Sequence, residues 1–223
     1  MKGRLIVLDG VDASGKNTQT EILFGRLKGE GKSVTKVDFP NYNDASSALV
    51  KMYLSGEFGE NPNDVNPYAA SSFYAVDRYA SYKKSWGELL EKGEIILSNR
   101  YTTSNAIHQA PKIEDERQNE FFDWLYDYEF NLLGLPKPDI VVFLDMPPKA
   151  AVRLLSERYN NDESKKDIHE KDFSHLVKAH RSAVKACEYY KWEHIFCAEG
   201  DYIKTRQEIS DEIYNLLKGK GLF

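Results

Sequence analysis

The sequence predicts an α/β fold in which a five-stranded parallel sheet carries helices on both faces. Short apolar runs alternate along the chain with longer stretches of helical spacing, and this alternation is typical of βαβ units. The run 140–144 is apolar at every position, as expected for a strand that is buried on both faces. The chain has 223 residues, enough for one domain, which we place at 1–223.

The strands are predicted from apolar runs that are too short for helices. They lie at 5–8, 34–39, 94–97, 140–144 and 194–197. Pro40 directly follows the second run and ends it, because proline has no backbone N–H to donate to a sheet. Motifs follow the first three strands, and the carboxyl ends of parallel strands meet at one edge, so we expect the motifs to converge there.

The helices are predicted from apolar residues that recur with helical spacing. They lie at 16–27, 49–53, 67–90, 121–133, 150–159, 173–190 and 203–217. Pro67 suits the first position of the third helix, whereas Gly134 and Pro136 end the fourth. The polar segment at about 157–172 is either a solvated loop or a short lid over bound phosphates.

Net charge and apolar run length argue against two classes of partner, nucleic-acid polymers and membranes. The net charge of −5 argues against binding to a nucleic-acid polymer, which a basic surface would favour. No apolar run approaches the roughly 20 residues of a membrane span, so we expect no membrane contact. Cys187 and Cys197 lack the spacing of a metal site, and we expect both to be reduced in a cytoplasmic protein.

The stretch LIVLDGVDASGKNTQT at 5–20 nearly matches the phosphate-binding loop G-x-x-x-x-G-K-[ST]. A buried strand precedes it and a helix follows, so backbone N–H groups and a helix N-terminus would face the phosphates. Lys16 would then reach the β and γ phosphates. The dinucleotide motif G-x-G-x-x-G is excluded because position 12 is Asp. The one departure is Asn17, where the motif has a hydroxyl.

Further motifs follow the loop in a fixed order. They are DFP at 38–40, FYAVDR at 73–78, NRYTTSNAIHQ at 99–109, LPKPDIVVFLD at 135–145 and ERYNN at 157–161. This ordered set resembles the thymidylate kinase family. The resemblance implies a P-loop kinase fold and transfer of the ATP γ-phosphoryl group to dTMP, giving dTDP and ADP. It also implies Mg²⁺ with ATP and a homodimer formed through helical faces.

Two alternatives to this function stay open on the sequence. One is another nucleotide or nucleoside kinase on the same scaffold. The other is a nucleotide-binding regulatory protein without catalysis, which the neutral amides Asn17 and Asn99 would suit, because the family usually has an Asp at the second of these positions. His108 stands where many members have a Tyr that blocks a ribose 2′-hydroxyl, so deoxyribose preference does not follow from the sequence.

The resemblance also assigns residues to each part of the site. Those implied to bind ATP are Gly10, Val11, Asp12, Ala13, Ser14, Gly15, Lys16, Asn17, Thr18 and Arg153. Those implied in catalysis are Lys16, Arg100, Asp12 and Arg158. Those implied to bind dTMP are Asp12, Phe39, Phe73, Arg78, Arg100, Ser104, Asn105, His108 and Tyr159. Those expected near the metal are Asp12, Asn17 and Glu170.

Individual roles follow from the same comparison. Phe73 would stack on thymine, Arg78 would donate to a thymine carbonyl, and Ser104 and Asn105 would read the base edge. Arg100 would clamp the acceptor phosphate, a task that suits a planar guanidinium. From the residue types alone, Phe73 could equally be a core aromatic residue, and Ser104 and Asn105 could cap a helix.

Overall fold

The computed structural model describes residues 3–59, 61–158 and 173–223. Five strands form one sheet in the order β2-β3-β1-β4-β5, and every pair is parallel. The strands are β1 Arg4–Asp9, β2 Val34–Asp38, β3 Ile95–Asn99, β4 Ile140–Asp145 and β5 Glu193–Phe196. The predicted five-stranded parallel sheet is therefore confirmed.

The helices are α1 Lys16–Gly29, α2 Ala48–Leu54, α3 Pro67–Ser81, α4 Gly87–Glu91, α5 Thr103–His108, α6 Gln118–Tyr126, α7 Pro148–Arg158, α8 Phe173–Tyr190 and α9 Arg206–Gly219. Most predicted helices agree with these to within a few residues. The bounds of α8 match the prediction, since its apolar stripe is uninterrupted. A small hairpin of β6 Ala198–Glu199 and β7 Tyr202–Ile203 was not predicted.

Two helices contain π-helical segments that the sequence pattern did not indicate. Tyr82–Trp86 connects α3 to α4, so the predicted helix at 67–90 exists but is wound differently in its middle. Asp127–Leu132 extends α6 in the same way. A π segment adds one residue to a turn, and π segments often lie at functional sites.

Apolar side chains cover both faces of the sheet. One cluster joins β1 and β4 to α1, α8 and α9, and includes Leu8, Leu27 and Ile213. The other packs Trp86 and Tyr101 against the opposite face. Strand β4 is buried along its whole length. The sheet is thus enclosed by helices, which leaves its carboxyl edge as the place where polar loops converge.

Two further expectations can be compared with the described residues. None of the helices in the described ranges combines the length and the apolar character of a membrane span. Cys187 and Cys197 are buried and free, as expected for packed thiols. Of the predicted lid, only the end of α7 is described, and residues 159–172 lie outside the described part of the chain.

Candidate active site

The phosphate-binding loop leaves the carboxyl end of β1, and its two glycines are required for different reasons. A Cβ at Gly10 would lie 2.6 Å from the carbonyl oxygen of Leu144 and 2.6 Å from Ser14 Oγ. Gly15 has a φ of +86° at the N-cap of α1, a left-handed conformation that glycine adopts at little cost. The loop thus reaches the N-terminus of α1 in the geometry that the motif predicts.

Lys16 is the first residue of α1 and points back across the loop. Its Nζ donates to the carbonyl oxygen of Val11 at 3.0 Å and lies 3.5 Å from Asp12 Oδ1. Only 7% of the residue is exposed. Burial, together with the charge of Arg100, lowers the pKa of Lys16 to about 8, although Asp12 partly opposes this shift. The ammonium group is held where phosphate charge would restore its ordinary pKa.

Arg100 faces Lys16 across Asp12 and is held by several partners. Its Nη2 donates to Asp12 Oδ1, and its Nη1 donates to Ser104 Oγ at 3.2 Å and lies 3.1 Å from His108 Nε2. Burial would raise the pKa of Asp12, but Arg100, Lys16 and His108 together hold that pKa well below its ordinary value. The arrangement places two cations around one carboxylate.

The backbone of Arg100 adds to this arrangement. Its φ is +67°, a left-handed conformation that costs a non-glycine residue about 1–3 kcal/mol and that occurs often at functional sites. Its backbone N–H donates to the carbonyl oxygen of Leu8 at 3.0 Å. The turn after β3 therefore anchors Arg100 to β1 and directs it toward the phosphate-binding loop.

Asp9, which the sequence pattern did not indicate, lies below the start of the phosphate-binding loop and accepts hydrogen bonds from its neighbours. It is fully buried at the end of β1. Its Oδ1 accepts from the backbone N–H of Gly10 at 2.8 Å, and its Oδ2 accepts from Ser104 Oγ at 2.7 Å. Because the hydroxyl of Ser104 donates to Asp9 and accepts from Arg100, it helps to hold Arg100 in place, and its role in reading the base stays a prediction.

Asn99 lies at the end of β3 beside two oxygen acceptors. Its Nδ2 donates to Asp38 Oδ1 at 3.0 Å and to Asn17 Oδ1 at 3.4 Å. Its own Oδ1 is buried and has no hydrogen-bond partner within the described ranges. An Asp at this position would face Asp38 at hydrogen-bond distance and be repelled by it. The amide of Asn99 donates to both neighbours, a contact that a carboxylate could not make.

A cavity opens beside Arg100. Its lining residues are Asp12, Phe39, Pro40, Tyr42, Leu54, Tyr74, Arg78, Arg100, Tyr101, Ser104, Asn105, His108 and Gln109. A larger cavity, of about 490 Å³, lies between α6, α8 and the start of β4. Its described lining contains no residue of the phosphate-binding loop. Asp12 and Arg100 connect the smaller cavity, which we call the acceptor cavity, to the phosphate-binding loop.

One residue that was predicted to bind dTMP is absent from the described lining of the acceptor cavity. Phe73 packs with Tyr53 and Phe58, at ring-centroid distances of 6.5 and 5.6 Å, and it is not among the described lining residues of the acceptor cavity. The next residue, Tyr74, lines that cavity. Successive side chains on a helix point about 100° apart, so a shift of one position decides which aromatic ring faces the ligand.

Other predicted residues take up the following places. Phe39, Arg78, Asn105 and His108 all line the cavity, and their binding of dTMP stays a prediction. Arg153 is exposed on α7, and α7 ends at Arg158. Tyr159 and Glu170 lie outside the described residues. In the part of the chain that the structure describes, there is no group of three His, Cys, Asp or Glu side chains that could hold a metal.

Comparison with known proteins decides the family. A family model described as thymidylate kinase matches residues 8–209. The chain belongs to the thymidylate kinase family. A thymidylate kinase of Mycobacterium tuberculosis is 32% identical over 170 residues, which cover 75% of this chain and 78% of the relative. A probable thymidylate kinase of Pyrococcus abyssi is 25% identical in an alignment that covers 98% of this chain and 97% of the relative.

The fold agrees with the family. A solved thymidylate kinase structure from Candida albicans superimposes with a TM-score of 0.73, at 19% identity, over 99% of this chain and 93% of that one. This likeness confirms the predicted P-loop kinase fold. Family membership confirms the predicted reaction class, phosphorylation of dTMP by a nucleoside monophosphate kinase. It does not favour the regulatory protein without catalysis.

The lowered pKa of Lys16 gives the first testable prediction. A Lys with a pKa of about 8 is protonated at pH 7 and loses its charge as the pH rises through 8. Because we expect ATP to bind the protonated form of Lys16, the dissociation constant of ATP should rise roughly tenfold between pH 7 and pH 9. Calorimetric titration with ATP, in the absence of dTMP, measures this constant directly.

One other lysine must be controlled for in that titration. Burial also lowers the pKa of Lys112 to about 8, but its Nζ donates to Tyr53 Oη at 2.9 Å, outside the phosphate-binding loop. The variant Lys112→Arg keeps a positive charge at pH 9 and should show the same pH dependence as the unmodified protein. A dissociation constant that does not change between pH 7 and pH 9 would exclude Lys16 as the titrating contact.

Proposed function

We propose that this site transfers the γ-phosphoryl group of ATP to dTMP. The observation that carries the proposal is the cluster of Lys16, Asp12 and Arg100, which joins the phosphate-binding loop to the acceptor cavity. Lys16 and the backbone N–H groups of the loop bind the ATP phosphates, while Arg100 binds the phosphate of dTMP. The two phosphates thereby meet above Asp12.

The chemistry needs charge and position more than a base. The attacking atom is a phosphate oxygen that is already anionic at neutral pH, so no residue has to remove a proton from it. Two cations that flank the reacting groups stabilise the charge that spreads over the transferred phosphoryl group. Arg158, at the end of α7, would approach the phosphates from the predicted lid, and Arg153 would lie beside ATP.

The residues of the site fit Mg²⁺. Asp12 offers a carboxylate and Asn17 a carbonyl oxygen, and oxygen atoms are the ligands that Mg²⁺ prefers. Mg²⁺ takes most of its remaining ligands from phosphates and water, so a site with few protein ligands suits it. Bound with ATP, the ion would neutralise charge on the phosphates. We propose that Asp12 and Asn17 hold its coordination shell, together with Glu170 of the predicted lid segment.

The base would lie between Tyr74 and the polar side chains at the other end of the cavity. Tyr74 takes the stacking role that the sequence assigned to Phe73. Arg78 and Asn105 face the edge of the base, and Phe39 packs beneath the sugar. His108 contacts Arg100. We propose that His108 acts on the acceptor phosphate indirectly, by positioning that guanidinium.

The two neighbouring aromatic residues give a matched test. Tyr74→Ala should raise the KM for dTMP by about 5- to 150-fold, because base–aromatic stacking contributes about 1–3 kcal/mol. Phe73→Ala removes a ring of similar size from the same helix and should lower the melting temperature while leaving that KM within about threefold, since a packing loss acts mainly on folding. Steady-state kinetics of both variants provide the measurement, and the reverse pattern would return the stacking role to Phe73.

We also propose that the protein is a cytoplasmic homodimer. Val76 and Tyr79 lie on α3 and are 48% and 39% exposed, and Leu49 on α2 is 41% exposed. These apolar residues suit contact with a second copy of the chain. Light scattering that gives the mass of one chain at micromolar concentration would overturn the dimer.

Product analysis tests the reaction itself. ATP labelled in its γ-phosphate is incubated with dTMP or with thymidine, and the nucleotides are separated. We expect label in dTDP with dTMP and no labelled product with thymidine, because Arg100 requires a phosphate on the acceptor. Labelled dTMP formed from thymidine would instead indicate a nucleoside kinase.

A further inference from the structure

A fully buried carboxylate lies behind the acceptor cavity and takes no part in the roles assigned above. Glu129 has no exposed surface and belongs to the π-helical segment Asp127–Leu132. We propose that Glu129 fixes the base preference of the site by holding Arg78 and Asn105 in a single hydrogen-bonding arrangement. The inference rests on the proposed function, since it concerns the same cavity.

The position of Glu129 is unusual for its residue type. Glutamate is almost never fully buried unless it is paired, and a buried carboxylate must have its oxygens satisfied. Here the carboxylate accepts four hydrogen bonds, from Arg78 Nε, Arg78 Nη2, Thr102 Oγ1 and Asn105 Nδ2. Glu129 is absent from the described lining of the cavity. It therefore acts on a ligand only through the residues that it holds.

Arg78 is bound by this carboxylate in a forked arrangement. The distances to Glu129 are 2.7 Å from Nε and 2.5 Å from Nη2, and Nη1 lies 3.4 Å from the carbonyl oxygen of Tyr101. A guanidinium has five N–H donors, so these contacts leave two. Because Arg78 has donors and no acceptor, whatever it presents to the cavity is a hydrogen-bond donor.

The orientation of Asn105 is set by the same carboxylate. Its Nδ2 donates to Glu129 Oε1 at 3.2 Å and to the carbonyl oxygen of Ser71 at 3.3 Å. The opposite orientation of the amide would set its oxygen against two other oxygen acceptors, which is unfavourable. Both amide hydrogens are thus used within the protein, and Oδ1 is the atom that Asn105 can offer to a ligand.

The donor of Arg78 and the acceptor of Asn105 together distinguish thymine and uracil from cytosine. Thymine and uracil present a carbonyl oxygen at C4 and an N–H at N3, which match the donor of Arg78 and the acceptor of Asn105. Cytosine presents an amino group at C4 and an unprotonated N3, so both contacts would be mismatched. A site that leaves buried polar groups unpaired rejects the wrong ligand strongly.

Glu129→Gln tests the proposal, because it keeps the shape of the side chain and replaces one acceptor oxygen by a donor. In either orientation the new NH₂ group faces a donor of Arg78, and in one of the two it also faces the amide hydrogen of Asn105. Arg78 and Asn105 are then no longer held together in a single arrangement. We expect the ratio of kcat/KM for dTMP over dCMP to fall at least about tenfold. The fall should come from a higher KM for dTMP, with the KM for ATP unchanged.

Asp127→Asn is the matched control. It removes a carboxylate from the same π-helical segment, where Asp127 accepts only from Asn131 at 2.9 Å among the described hydrogen bonds and lies near the surface. Its dTMP to dCMP ratio should equal that of the unmodified protein. Should Glu129→Gln fail to fold, Thr102→Val carries the test, because it removes one hydrogen bond of 2.8 Å to Glu129. It should lower the ratio by about two- to fivefold.

The outcomes separate this inference from the proposed function. If the unmodified protein prefers dTMP and folded Glu129→Gln keeps the same ratio within a factor of two, the role of Glu129 is overturned and the function stands. The same holds if both substrates lose activity equally, since Glu129 would then be only structural. If Thr102→Val has to decide, an unchanged ratio overturns the role as well. An unmodified protein that prefers dCMP overturns both proposals.

Discussion

Lys16→Ala should lose turnover almost completely while keeping its fold. The ammonium group of Lys16 is held within the loop by the carbonyl oxygen of Val11 and by Asp12, and it lies where the ATP phosphates would bind. Removing it leaves the charge of the transferred phosphoryl group without its nearest cation. We expect kcat to fall by roughly 10³-fold or more, about 4 kcal/mol in the activation barrier.

A coupled assay of ADP release measures this loss, and circular dichroism confirms that the variant is folded. Lys28→Ala is the matched control, because Lys28 lies on the same helix, is exposed and is far along α1 from the loop. Its kcat should not change. Turnover of Lys16→Ala within a factor of two of the unmodified protein would contradict the assignment of the phosphate-binding loop.

Arg100→Ala should produce the second large effect, on the acceptor. Arg100 is the guanidinium that joins Asp12 to the cavity, and its loss removes the clamp on the dTMP phosphate. The value of kcat/KM for dTMP should fall roughly 10²- to 10³-fold, with the KM for ATP changed by less than about threefold. Arg100→Lys keeps the charge without the fork and should recover only part of the loss.

A second consequence of the same variant distinguishes electrostatics from packing. The charge of Arg100 contributes to the lowered pKa of Lys16, so its removal should move the pH dependence of ATP binding to higher pH. Arg117→Ala is the control, since Arg117 is exposed and paired with Glu120 at 3.1 Å. An unchanged KM for dTMP in Arg100→Ala would show that another residue binds the acceptor phosphate.

Much of the fold could be predicted because its signals are local. The apolar runs of β1 and β4, and the uninterrupted stripe of α8, identify their elements without tertiary information. The short helix α5 was missed because TSNAIH has too few residues for a helical repeat to appear. The π segments were missed because one additional residue in a turn leaves the pattern of apolar residues nearly unchanged.

The candidate site could be predicted where a motif has fixed spacing and less well where it does not. Lys16, Asp12 and Arg100 come together as their motifs predict. We propose Tyr74 rather than Phe73 for stacking on the base, because the sequence FYAVDR offers two adjacent aromatic residues and only Tyr74 is among the described lining residues of the acceptor cavity. Asp9 accepts hydrogen bonds from Gly10 and Ser104, and the role that we propose for Glu129 is to hold Arg78 and Asn105. Their roles depend on hydrogen bonds between distant segments, which a single sequence does not contain.

The central claim is that the cavity beside Arg100 receives dTMP. The most direct measurement is kcat/KM for dTMP, dUMP, dCMP and dGMP at the same ATP and Mg²⁺ concentrations. ADP release is the signal that reports the rate. We expect dTMP to exceed dCMP and dGMP by at least about 100-fold, because mismatched bases leave Arg78 and Asn105 unpaired, and to exceed dUMP by only about tenfold, because one methyl group differs. Equal values for dTMP and dCMP would contradict the account.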